Sequence, residues 1–137
     1  MPPRWLISLA LCAAALAVGA PSAGAKLKGF QSPSHNIGCY ISGQGARCDI
    51  KHRSWDPPPT PRSCELDYGF GLTVDRHGRG AFVCAGDTTL GQGRVLPFGD
   101  KLERGRFRCS SKRSGIKCVN TRNGHGFKLS RQRPIRF

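Results

Sequence analysis

Cys39 and Cys48, in IGCYISGQGARCDI, are separated by the same eight residues as Cys109 and Cys118, in RCSSKRSGIKC. Each pair brackets a short polar segment containing glycine. Across a non-hydrogen-bonded position of an antiparallel hairpin, two cysteines hold their Cβ atoms near bridging distance, so each unit can close as a clasped hairpin. A two-residue turn at Gly43-Gln44, of type II′ with glycine first, sets Cys39 opposite Cys48 and Tyr40 opposite Arg47. Closing a ring of about ten residues contributes about 2.7 kcal/mol in the chain-entropy picture, before any native strain. One device therefore frames both ends of the chain, and it demands strands.

Whether those thiols oxidise depends on where the chain matures. Residues 1–25 carry one charge (Arg4), an apolar run from Trp5 to Ala20 and the small-x-small triplet Ala23-Gly24-Ala25. That is the pattern of a secretory signal peptide cleaved after Ala25. The apolar run is shorter than the roughly 18 residues of a membrane span, and nothing later approaches that length, so no span is expected in the mature chain. Leu9-Ala10-Leu11-Cys12 approaches a lipoprotein box but puts leucine where a small residue is needed. The reading is a secreted, extracellular or envelope-associated protein whose residues 26–137 form a single domain, expected to be monomeric.

Six cysteines remain after cleavage: Cys39, Cys48, Cys64, Cys84, Cys109 and Cys118. An even number in an exported chain implies three disulfides. With the two clasps assigned, Cys64 and Cys84 are left to pair, although other connectivities stay open. No Cys-x2-Cys pair is present, so neither a metal site nor a cofactor is expected.

Along the chain, Phe30 to Asn36 is rich in turn formers and Ile37–Ile41 reads as a strand. Lys51–Ser63, with four prolines, is a loop from which Trp55 folds back over the core. Phe70, Leu72 and Val74 alternate with Gly71, Thr73 and Asp75 as the buried side of a strand. The chain turns at Arg76–Gly80 and returns through Ala81–Cys84. After a turn-rich connection, Ala85–Gly93, comes a short strand at Arg94–Leu96 that Pro97 ends. Period two then places Arg104, Arg106 and Arg108 on one strand face, with Phe107 and Cys109 on the other. Ile116 and Cys118 continue the buried face, while Lys117 joins the charged one. Asn123-Gly124 signals a type I′ hairpin, beyond which Phe127 and Leu129 alternate with Lys128 and Ser130. No helical period is sustained. The fold class is all-β, a small disulfide-stabilised domain of successive hairpins, as a meander or small barrel.

Charge narrows the partners. The formal net charge is +14, and twelve of the 22 Lys and Arg lie from Lys101 onward against one acid, Glu103. Such a surface attracts polyanions in a salt-dependent way; the bland alternative is a solvated surface of an arginine-rich protein. The candidate binding residues are Arg104, Arg106, Arg108, Lys112, Arg113, Lys117, Arg122, Lys128 and Arg131, and the leading reading is a binding or structural module for anionic polymers of the envelope or surroundings. With Phe107 and Phe127 read as buried, no stacking platform for bases is left.

Two alternatives stand beside it. A small, basic, disulfide-bonded exported chain fits the profile of extracellular ribonucleases, in which histidines act as acid and base. Of His35, His52, His77 and His125, the last, between Gly124 and Gly126, is the catalytic candidate, although acids are scarce. No nucleophile elbow, phosphate loop, zincin helix or calcium loop is present, so the balance leans away from an enzyme. The third reading is an extracellular inhibitor or protein-interaction module.

FQSPS-x-NIGC (Phe30–Cys39), RCDI (Arg47–Ile50), the Trp55 and proline segment, FVC (Phe82–Cys84), LPFG (Leu96–Gly99) and GHGF-x-LSR (Gly124–Arg131) resemble a family of short secreted actinobacterial proteins of unknown function. The resemblance spans Phe30 to Arg131. It implies a structural domain and supplies no activity, ligand or catalytic residue. Glycine is usual in that pattern where His35 stands here, which weakens a catalytic role for His35.

Overall fold

The computed structural model describes residues 27–137, together with Ala17 and Gly19. The rest of the leader, its cleavage point and Cys12 lie outside the described residues. The chain is all-β, with no helix among the described residues: β1 (Lys28–Gln31), β2 (Ile37–Ile41), β3 (Gly45–Ile50), β4 (Asp67–Asp75), β5 (Ala81–Ala85), β6 (Arg94–Val95), β7 (Lys101–Arg104), β8 (Phe107–Lys112), β9 (Gly115–Asn120), β10 (Gly126–Leu129) and β11 (Pro134–Arg136). They form two sheets, ordered β5-β4-β3-β2-β1-β6 and β11-β10-β9-β8-β7. Each is a meander of neighbouring antiparallel strands, except that β6 joins the outer edge of β1 in parallel. Two packed layers replace a closed barrel.

Alternation explains the layering. Phe30, Cys39, Ile41, Cys48, Leu72 and Val74 of the first sheet face Phe107, Cys109, Ile116, Cys118, Phe127 and Leu129 of the second in one buried cluster. The expected register holds, with Cys39 opposite Cys48, Tyr40 opposite Arg47, and Cys109 opposite Cys118. Disulfides join Cys39–Cys48, Cys64–Cys84 and Cys109–Cys118, and both clasps span a Cα–Cα distance of 4.1 Å, as in a non-hydrogen-bonded pair. Trp55 packs against the core and donates its indole N–H to the Ser130 carbonyl at 3.0 Å.

Four expectations change. Gly43-Gln44 is a two-residue loop, but Gly43 lacks the positive φ of a type II′ turn; Gly105 has it, at +55°, in the β7–β8 turn. That turn, at Gly105-Arg106, breaks the strand assumed to run through Arg104, Arg106 and Arg108. Arg104 lies opposite Phe107, on the same side of the sheet; Arg106 is in the turn; Arg108 points the other way. Thus there is no arginine row. Asn123-Gly124 ends a four-residue loop, Thr121–Gly124, instead of forming a type I′ pair. The buried Asn120 organises this loop: its carbonyl accepts from Gly124 N–H and its side-chain oxygen from Arg122 N–H. Finally, Phe70 is 50 % exposed. A bulge between Tyr68 and Leu72, with Gly69 at φ +83°, shifts it out of the core alternation.

Reaching β6 from β5 requires the chain to cross the outside of the first sheet. Buried polar groups hold that crossing. The Arg47 guanidinium makes two hydrogen bonds to the Asp49 carboxylate, at 3.1 and 2.8 Å, and reaches Asp87 Oδ1 at 2.8 Å. Thr89 donates its N–H to Asp49 and its hydroxyl to the Gly38 carbonyl at 2.6 Å. A Cβ on Gly38 would lie 2.3 Å from the Thr89 carbonyl oxygen, so only glycine admits the crossing chain there.

Candidate anion-binding surface and cleft

The solvent face of the second sheet follows from its register. Side chains directly opposite share a side, so Lys101, Ser110, Lys117, Lys128 and Ile135 form one cross-strand line on that face. Arg108 and Lys112 stand on the same face, two residues either side of Ser110. The acid among them, Glu103, is already paired with Arg108. Lys117 lies directly opposite Lys128, an arrangement that costs stability between like charges. The two amines part company: Lys128 Nζ donates to Ser114 Oγ at 2.8 Å, and Lys117 Nζ sits 5.4 Å from the centre of the Phe137 ring.

This face continues into a cleft of about 480 Å³ at one end of the two sheets. Five segments meet there: the β1–β2 turn with Ser34, His35 and Asn36; Lys51 and His52 after β3; Phe98 between β6 and β7; Lys112 and Arg113 at the β8–β9 turn; and Ser130 and Arg131 after β10. No acid lines it. Lys51, Lys112, Arg113 and Arg131 make no salt bridge among the described residues, and one acid, Asp56, lines an adjoining hollow with Lys51 and Arg131. Phe98 forms one wall, with the Arg113 guanidinium 5.1 Å above its ring.

The cleft wall is held rigidly. The Asn36 carboxamide donates to the His52 carbonyl at 2.9 Å and accepts from His52 N–H at 2.8 Å. Lys51 N–H donates to the Asn36 carbonyl at 2.9 Å. His35 takes φ +60°, a left-handed conformation uncommon outside glycine. Its Nδ1 is 3.1 Å from Gln31 Oε1.

The structure divides the nine basic candidates. Lys112, Arg113 and Arg131 line the cleft, Lys128 borders an adjoining depression, and Arg108 and Lys117 stand on the sheet face. Arg104, Arg106 and Arg122 lie at the opposite end. There, burial and the like charges of Arg122 and Arg76 hold the Arg106 guanidinium below its ordinary value. His125 is also at that end, following the β9–β10 loop, with its N–H bonded to Asn123 Oδ1 and no acid among its hydrogen-bond partners. It does not meet the cleft. Lys101 and Lys51 are not among the cations that the sequence pattern singles out, nor are His35 and His52 its catalytic candidate. The local signal for Lys101 was its parity with Glu103; nothing local joins Lys51 to Arg131.

A second pocket, of about 330 Å³, borders Arg47 on the outside of the first sheet. Acids line it as well, Asp49, Asp67 and Asp87 beside Arg47 and Lys51: burial opposes the Arg47 charge, but the hydrogen bonds and charges of Asp49 and Asp87 outweigh it and hold the guanidinium firmly protonated. Among the described residues no three His, Cys, Asp or Glu side chains gather as metal ligands would, and no helix is long and apolar enough to cross a membrane.

A family model, described as a family of unknown function (DUF6636), matches residues 6–137 of the chain. No curated protein sequence and no solved structure matches it.

Proposed function

The chain belongs to the DUF6636 family, whose function is unknown, and from its geometry we propose that it is an exported module that binds anionic polymers of the cell envelope or its surroundings. One observation carries this reading: Lys101, Lys117 and Lys128 stand in a cross-strand line, two of them directly opposed, on a face where Glu103 is spent on Arg108. Like charges so placed repel one another, and a polyanion lying along the line would relieve that cost. The cleft cations, none of them in a salt bridge among the described residues, extend the same field. Three disulfides support maturation in an oxidising compartment.

The test is retention on immobilised heparin or polyphosphate across a salt gradient. Binding through several charges falls steeply as salt rises. Lys101→Gln, Lys117→Gln and Lys128→Gln combined should elute at markedly lower salt than the parent. Retention that is absent, or indifferent to salt, overturns the reading.

A further inference from the structure

We propose that the cleft between the β1–β2 turn, Lys51-His52, the β8–β9 turn and Ser130-Arg131 is a discrete site for one tetrahedral oxyanion group, a phosphoryl or sulfuryl substituent of a polymer. This rests on the reading of the chain as an anion binder, and it adds a saturable site to a diffuse field.

Three features of the cleft carry it. First, its cations approach from different segments: Lys51 from the end of β3, Arg113 from the β8–β9 turn, Arg131 from beyond β10. An oxyanion with oxygens in four directions needs donors so distributed, whereas a flat row of lysines offers them from one side only. Guanidinium groups suit such oxygens because they present paired N–H donors in a plane. Second, no acid lines the cleft itself, and Lys112 and Arg113, away from the hollow that Asp56 shares with Lys51 and Arg131, make no salt bridge among the described residues. Third, the histidines are pre-positioned. His35 is held at φ +60° with Nδ1 against Gln31 Oε1, which leaves Nε2 as its open nitrogen; the His52 backbone is clamped twice by Asn36. A backbone held in a sparsely populated region beside a ligand-sized hollow is a recurring mark of a binding site.

The four histidines supply an internal control. His35 and His52 line the cleft, while His77 and His125 lie at the other end of the sheets. Imidazole resonances followed by NMR at constant pH, with inorganic phosphate, sulfate or acetate added at matched ionic strength, should show saturable shifts of His35 and His52 alone. The stronger response, phosphate or sulfate, identifies the phosphoryl or sulfuryl source. Arg113→Gln with Arg131→Gln should weaken the response by roughly tenfold or more, as loss of charge-assisted hydrogen bonds does. Arg113→Lys with Arg131→Lys, which keeps the charge, should weaken it less. Acetate acting as well as phosphate, equal non-saturating shifts of all four histidines, or an undiminished response in the glutamine pair would each overturn the assignment. The triple lysine variant of the sheet face separates the two ideas: it should elute from heparin at markedly lower salt while keeping the saturable histidine shifts.

Discussion

Cys48 Sγ lies 3.9 Å from Cys118 Sγ, so the two cross-strand disulfides, one from each sheet, touch at the centre of the protein. Both sulfurs are bonded to their own partners, Cys39 and Cys109, and neither carries a proton. The contact is therefore dispersion packing between polarizable atoms. It makes the clasps part of the sheet-to-sheet interface as well as cross-links within their hairpins.

Replacing Cys39 and Cys48 by alanine, or Cys109 and Cys118, should lower unfolding stability by about 2–4 kcal/mol for each pair. Because the clasps touch, removing both should depart from the sum of the separate losses by about 0.5 kcal/mol or more. Denaturant midpoints of the parent, the two single-clasp variants and the combined variant measure this directly. Strict additivity would show that the sulfur contact contributes nothing.

Arg47 is 7 % exposed and Asp49 3 %. Arg47→Ala leaves the Asp49 carboxylate buried without its guanidinium and also releases the crossing segment, which Arg47 holds at Asp87. The expected loss is about 3–5 kcal/mol, read from urea unfolding. Arg47→Met, which fills the space but still strands the carboxylate, should recover little of it.

The Ser111 hydroxyl is buried with no hydrogen-bond partner among the described residues. It lies opposite Ile116, on the core side of β8. Ser111→Ala removes an unsatisfied group at almost constant volume, so stability should stay the same or rise by up to about 1 kcal/mol. A thermal melt that drops clearly would reveal a partner for this hydroxyl.

Asp75 accepts the backbone N–H groups of His77 and Gly78, at 2.8 and 3.2 Å, and these bonds hold its carboxyl below the usual range. A folded-state pKa below the unfolded one adds stability above the unfolded value, near 4, and loses it as pH falls through the folded value. Asp87, lowered by its bond to Arg47, acts in the same direction. Urea midpoints should therefore fall from pH 5 toward pH 2, and Asp75→Asn should make that fall shallower. An identical pH dependence in the variant would remove Asp75 from the account.

The clasps were readable because each needs information from only about ten neighbouring residues. Cysteine spacing, a small polar turn and period two together place Cys39 against Cys48 and Cys109 against Cys118. The buried series Phe107, Cys109, Ile116, Cys118, Phe127 and Leu129 followed from the same alternation. Where a local break intervened, parity failed. Gly105-Arg106 turns the chain and puts Arg104 on the side of Phe107, and the bulge beside Gly69 releases Phe70.

The sequence by itself therefore determined an all-β chain with paired, disulfide-closed hairpins and an excess of positive charge, because those properties reside in short-range chemistry and composition. Tertiary structure alone decided that two meanders stack with their disulfides in contact and that the chain between β5 and β6 crosses to the far edge over Arg47 and Asp49. It also decided which cations share a surface. Lys51 and Arg131 are separated by most of the chain, and they meet because the ends of several hairpins close on one another when the two apolar faces come together to exclude water. No periodicity along the backbone encodes that meeting.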